Sequence, residues 1–301
     1  MTGTKAVIRV ERLTKIFNSK SVVEDLSFEV EKGSVMAFLG NNGSGKTTTI
    51  RCLLGIYSPY SGEALINNQD YSSKLSKLIG YLPEERGLYK DVTVGELFKY
   101  FSELRGIPLN EANKSISSYL ERVGLAEHVN KKTQQLSAGM QQKVQIGLCI
   151  LHKPEILILD EPFNKLDPIN RDLFMQLFKE MNNDGTTILY STHIIDEAQK
   201  LADSILIIKD GKRKAYGSVL DVRKDFGQKS ITIEFSGNFP SNDKFYDYRT
   251  YKNKAEIFPK EKISSESILE FLINKDLKII NFSLDYPTLN EIFIRINNAQ
   301  E

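Results

Sequence analysis

The 301-residue chain carries only two cysteines, Cys52 and Cys149, and both lie in helical apolar patterns. Such a pair suggests neither a disulfide framework nor a metal site, and it fits a reducing compartment. No apolar run reaches the roughly 20 residues of a membrane span. Any membrane crossing in this protein's service therefore falls to another chain. The start, "MTGTKAVIRVERL", alternates like a strand and lacks the apolar region of a signal peptide. A surplus of one charge is missing too: 40 Lys and Arg against 39 Asp and Glu leave +1. That balance gives no general argument for a nucleic-acid partner. Repeats and low-complexity tracts are also absent. What is there is 41% hydrophobic and 26% charged. This suffices to bury a core, at a length that suits one large domain or two ordinary ones.

Along the chain, residues 7–39 read as strands ending in "GSVMAFLG", followed by a helix from Lys46 to about Leu54. "EALINNQD", "EILILDEP", "TTILYSTH" and "SILIIKDGK" read as further strands. Continuous apolar strands alternating with helices predict a largely parallel, buried sheet. A helical pattern over residues 93–151 interrupts that alternation and reads as a subdomain inserted into the sheet fold. After about residue 225 the pattern changes. "SITIEF", "AEIF" and "LKIINFSL" suggest strands, and Ser267 with Glu270 and Thr288 with Glu291 fit capping boxes. The expected second module is a small α/β domain over 227–301.

"GNNGSGKT", Gly40 to Thr47, fits G-x-x-x-x-G-K-[ST] between an apolar strand and a helix. Glycines permit the tight loop. Backbone N–H groups from Asn41, Asn42, Gly43, Ser44 and Gly45 surround phosphate oxygens, and Lys46 reaches the β- and γ-phosphates. Thr47 offers Mg²⁺ a hydroxyl, and Thr48 adds a bond to an inner phosphate. Asp160 and Glu161 close "EILILDE" at the carboxyl edge of a parallel sheet, where such folds bind ligands. On an extended chain these neighbours point to opposite sides. Asp160 is assigned to the hydrated Mg²⁺ and Glu161 to the attacking water. His193 stands just beyond "TTILYST", in reach of the γ-phosphate or the water.

In "QLSAGMQQKV", residues 135–144, Ser137 caps a helix whose apolar stripe is Met140, Val144, Leu148 and Leu151. Its first turn holds no carboxylate, and Gly139 allows close approach to the backbone. The segment reads as a serine-capped core helix or as an anion site, and alone it favours the former.

The order of these motifs resembles the ATP-binding subunits of ABC transporters over residues 7 to about 224. The glycine loop with Lys46 matches Walker A, "QLSAGM" the signature, "ILILDE" Walker B, "NKLDP" the D-loop and "STH" the H-loop. The resemblance implies an α/β P-loop ATPase fold of ABC type, with a mixed, largely parallel sheet in residues 1–225 and a helical subdomain at about 81–150. It implies ATP and Mg²⁺ as cofactors, Glu161 as general base and His193 as the γ-phosphate sensor. It also implies that Ser137 and Gly139 serve an ATP held by a partner chain, with Asp167 communicating across a dimer. Phe17 stands where the family stacks an aromatic ring on adenine.

Three departures stand out. Ala138 and Met140 replace a glycine and a glutamine of the signature, and Glu84 stands at the Q-loop glutamine, with Arg86 nearby to offset its charge. Like that glutamine, Glu84 can bind Mg²⁺ or water. "FNKLDP" departs from the usual Thr-Ser-Gly before Leu166 and Asp167. "LPEERGLY" and "PTLNEIFIRI" narrow the likeness to sodium-extrusion-type and related drug or peptide exporters with a C-terminal accessory domain. That likeness implies a homodimer on the cytoplasmic face of the cell membrane, paired with a separate ABC-2-type permease. A soluble ABC ATPase is the alternative. Its chromosome-type members need a long coiled coil and its translation-type members usually carry two ATPase halves, and the sequence has neither.

Overall fold

β-branched residues alternating with polar ones form two long strands at the start of the chain, β1 (Ala6–Phe17) and β2 (Lys20–Glu31). Asn18 and Ser19 join them at φ 46° and 66°, in the left-handed region that tight hairpins require. The computed structural model describes residues 5–85, 87–227, 230–242, 244–260, 263–275 and 277–298. Arg86 lies outside them.

β3 (Val35–Leu39) is buried at every position, as a central parallel strand must be. α1 (Lys46–Leu53) follows, then β4 (Ser61–Ile66), α2 (Ser73–Ser76) and β5 (Ile79–Leu82). β4 returns to pair antiparallel with β1, which makes a three-stranded sheet in the order β2-β1-β4. Next come α3 (Val94–Leu104), α4 (Leu109–Arg122) and α5 (Ala138–Ile150). This block sits in the chain between β5 and β6 (Ile156–Asp160), as an inserted helical subdomain. The unit closes with α6 (Pro168–Asn183), β7 (Thr187–Thr192), α7 (Ile195–Leu201), β8 (Ser204–Lys209) and β9 (Lys212–Ser218).

The six-stranded sheet runs β5-β6-β7-β3-β8-β9, parallel except for β9 at one edge. It is the mixed, largely parallel sheet that the sequence predicts. Its parallelism places the ends of β3, β6 and β7, and the loops they feed, at one carboxyl edge.

The chain divides into residues 1–218 and 219–301. The expected boundary at 225/227 therefore falls seven residues late, because α8 (Val219–Asp225) belongs to the second unit. That unit continues with β10 (Ser230–Ser236), β11 (Tyr246–Tyr251), β12 (Lys254–Pro259), α9 (Ser265–Asn274), β13 (Lys278–Asp285) and α10 (Leu289–Asn298). Its antiparallel sheet has the order β11-β12-β10-β13. Ile231, Ile233 and Phe235 alternate inward from β10 and pack with Ile257, Ile268 and Leu272 in a core of its own.

Two local expectations change. α9 is capped by Ser264, whose hydroxyl accepts from Ser267 N, so Ser267 is inside the helix and no box with Glu270 forms. The box of Thr288 and Glu291 does form, with both of its hydrogen bonds. α5 is also buried more widely than one stripe. Gln142, Gln145, Ile146, Gly147 and Cys149 are buried beside Val144 and Leu148, while Met140 is half-exposed. Gln142 Nε2 donates to Pro162 O at 2.9 Å, which satisfies the amide inside the core. No helix among the described residues is long and apolar enough to cross a membrane.

Candidate functional site

The loop Gly40–Thr47 leaves β3 and opens α1. Gly43 and Gly45 take φ values of 79° and 110°, which side-chain-bearing residues rarely adopt. Gly45 is the N-cap of α1 and contributes no capping side chain, and the first turn holds no acid. The orphan N–H groups and the positive helix end are therefore free for an anion. The loop has a built seat. A Cβ at Gly40 would lie 2.6 Å from Ile208 O, and one at Gly45 2.9 Å from Val22 O. Gly211, in the turn between β8 and β9, donates to Ser44 O and accepts from Glu24 N, both at 3.0 Å.

Lys46 is buried. Its Nζ donates to Gly40 O at 2.7 Å and Asn41 O at 3.3 Å, and stands 3.5 Å from Glu161 Oε1. Thr47 Oγ1 donates to Glu84 Oε2 at 3.4 Å. Val22, Asn42, Gly43, Gly45, Lys46, Thr47, Thr48, Glu84 and Glu161 line one cleft of about 250 Å³. Five of these belong to the predicted loop Gly40–Thr47, Thr48 follows it, and Val22 comes from β2.

Asp160 ends β6 and is wholly buried. Ser191 Oγ donates to its Oδ1 and accepts from Glu161 N, so one hydroxyl of β7 organises both acids. Glu161 does not continue the strand. Its φ is 51°, so the expected alternation of an extended chain does not separate the two carboxylates; a left-handed residue does. Glu161 Oε2 lies 2.9 Å from His193 Nδ1. Burial pushes the Glu161 carboxyl above the usual carboxylate range, opposed by the charges of Lys46 and His193. Lys46, Glu161 and His193 thus meet, although they come from three separate strand ends.

The other predicted residues lie elsewhere. Phe17, at the end of β1, is exposed and meets Tyr57 edge-on, with ring centroids 5.3 Å apart. Lys15 Nζ sits 4.8 Å from the centre of the Phe17 ring. Ser137 accepts from Met140 N as the cap of α5, with no acid in the first turn. Ser137 and Gly139 are not among the residues that line the Lys46 cleft. Asp167 is exposed and caps α6. Hydrogen bonds from the Asn170 backbone and side chain hold its carboxyl below the usual range. Sequence reasoning missed Val22, Ser191, Ile208 and Gly211. Only Ser191, inside "STH", carried a local signal.

The residues fit a magnesium ion. Asp160 Oδ2 and Glu161 Oε1 are buried oxygens without a hydrogen-bond partner among the described residues, and Glu161 shares the cleft lining with Thr47 and Glu84. No group of three acids, histidines or cysteines could hold a metal alone among the described residues. Mg²⁺ takes one or two carboxylates and completes its shell with water and phosphate oxygens.

A phosphate loop between strand and helix, acids at the neighbouring strand end and a helical block inserted into the sheet define a P-loop ATPase of ABC type. Residues 23–164 match the ABC transporter family, and residues 217–296 match the C-terminal domain of DrrA1-3-like ATP-binding proteins. The chain is 39% identical over 274 residues to an ABC transporter ATP-binding protein of Methanocaldococcus jannaschii, covering 91% of this chain and 97% of that one. It is 33% identical over 228 residues to the linearmycin resistance ATP-binding protein LnrL of Bacillus subtilis, covering 75% and 73%. Among solved structures, an ATP-binding subunit of an ABC transporter matches with a TM-score of 0.69 at 31% identity, over 73% of this chain and 93% of that one. An ATP-binding cassette solved as a dimer in a post-hydrolysis state with ADP and phosphate matches with 0.64 at 25%, over 70% and 98%. The chain belongs to the ABC transporter ATP-binding proteins.

Proposed function

We propose that this protein hydrolyses ATP with Mg²⁺ and energises a membrane exporter, as one of two identical subunits that close around two nucleotides. The observation that carries the reading is the buried Glu161 carboxylate, held between Lys46 Nζ at 3.5 Å and His193 Nδ1 at 2.9 Å on the wall of the phosphate-loop cleft. Backbone N–H groups of Asn41 to Gly45 and the start of α1 bind phosphate oxygens, and Thr48 adds an inner contact. Lys46 exchanges its bond to Gly40 O for the β- and γ-phosphates. Glu161 orients water and accepts its proton at the carboxylate, and His193 holds that carboxylate and senses the γ-phosphate. Thr47, Asp160 and Glu84 would hold the magnesium ion, whose charge neutralises the β- and γ-phosphate oxygens. Adenine stacks on the exposed face of Phe17.

Ser137 and Gly139 serve the partner's nucleotide, with Asp167 at the junction. The acid-free first turn of α5 and the absence of Ser137 and Gly139 from the lining of the Lys46 cleft support this, as does the dimeric form of a structural neighbour. The helical block docks a separate ABC-2-type permease at the cytoplasmic face of the membrane. Export is favoured by the resistance role in LnrL's name.

The test is Glu161→Gln beside Lys46→Ala. Glu161→Gln keeps ATP binding and loses ~10²–10⁴-fold in turnover, the range of a lost general base. Lys46→Ala weakens binding itself. Turnover at the wild-type rate in Glu161→Gln would remove Glu161 from this role.

A further inference from the structure

The geometry points to Glu197 as a positioning residue for hydrolysis, acting on His193 through the Thr192 hydroxyl and on the Asp167 end of α6 through Arg171. The inference rests on the ATPase reading above. Glu197, on α7, is 2% exposed. Burying a carboxylate is costly unless neighbours satisfy it. Here Thr192 Oγ1 donates to Glu197 Oε2 and accepts from Ile194 N at 3.0 Å. One hydroxyl therefore ties together the residues on either side of His193, and Glu197 sets the direction of that hydroxyl. His193 in turn places its Nδ1 on Glu161.

The other carboxylate oxygen faces a second element. Arg171 Nε stands 3.4 Å from Glu197 Oε1, an ion pair without hydrogen-bond alignment. Arg171 lies one turn into α6, and its N–H donates to Asp167 O at 2.9 Å. A single buried carboxylate thus faces both the strand end that carries His193 and the helix that Asp167 caps. Tyr190 OH donates to Glu197 O at 3.1 Å, so the backbone of α7 stays fastened to β7 when the carboxylate is removed.

The experiment compares Thr192→Val, Thr192→Ser and Glu197→Gln with wild type in the full chain, measuring Mg·ATP turnover, ATP affinity at low protein concentration and Tm. Thr192→Val removes the hydroxyl, Thr192→Ser keeps it, and Glu197→Gln keeps an acceptor but loses the charge facing Arg171. Expected is a fall in kcat of roughly 10- to 100-fold in Thr192→Val, the scale of a misplaced catalytic group. A smaller fall is expected in Glu197→Gln, ATP affinity stays within about twofold in both, and Thr192→Ser recovers most of the rate. Wild-type kcat in both Thr192→Val and Glu197→Gln would overturn the inference. So would a Thr192→Ser variant as slow as Thr192→Val, or parallel losses of affinity, kcat and Tm. If Thr192→Val does not fold, the kcat of Glu197→Gln decides. A wild-type protein that hydrolyses no ATP would instead overturn the ATPase reading, and the inference with it.

Discussion

At the residue scale, His152 shows how an uncommitted atom sets a pH response. Its Nε2 lies 3.1 Å from Ile79 O, which can only accept, so Nε2 carries the proton of the neutral ring. Nδ1 is buried and has no hydrogen-bond partner among the described residues. A second proton would sit there unanswered. Burial, reinforced by the charge of Arg105, pushes the His152 pKa down to about 4. The ordinary value, about 6.5, applies to the unfolded chain. Between these values the unfolded state binds more protons, so the contribution of His152 is fully present above about pH 6.5 and is lost as pH falls toward about 4. His152→Gln should therefore flatten the stability profile across that window. Urea midpoints at pH 7 and pH 5 check it; an equal drop in wild type and variant would place the acid sensitivity elsewhere.

At the element scale, the helical block depends on one bare backbone position. A Cβ at Gly147 in α5 would lie 2.3 Å from Tyr119 Cε1 and 2.6 Å from Phe98 Cζ, rings of α4 and α3. Tyr119 cannot swing away freely, because its hydroxyl donates to Lys143 O. Helix propensity favours Gly147→Ala by roughly 1 kcal/mol. Overpacking costs ~1–3 kcal/mol and here falls on two rings at once. The loss should win, and a chemical-denaturation midpoint at or above wild type would refute this. The same elements show what a sequence discloses. The phosphate loop, Asp160, Glu161 and His193 were legible because each follows a short apolar strand, a local pattern. β11 was not read, because "YDYRTY" mixes aromatic and charged residues, and all of it but Tyr246 is exposed. Ser264 and Ser267 are chemically equal caps, and only the path of the chain chooses between them. The left-handed turn at Glu161 is invisible for the same reason: its N–H finds its acceptor in Ser191 Oγ, thirty residues away.

At the scale of the whole molecule, the separation of the α5 start from the Lys46 cleft can be tested directly. Ser137→Arg removes a cap worth ~1 kcal/mol, too little to unfold the chain, and fills the place proposed for the partner's γ-phosphate. The variant should bind ATP nearly normally at low protein concentration, yet fail to hydrolyse it. In the Glu161→Gln background it should also lose the ATP-dependent dimer in sedimentation. If it weakens monomer binding as much as Lys46→Ala while staying folded, the signature serves its own chain's nucleotide. The seat of the phosphate loop carries a further consequence. Val22 lies far in the chain from Ile208 and Gly211, yet the Ile208 and Val22 carbonyls bound the space in which Gly40 and Gly45 turn, and Gly211 N holds Ser44 O between them. The eight-residue motif is therefore not a portable cartridge. Grafted between a strand and a helix of another scaffold, it would bring every recognisable letter and leave its mould behind.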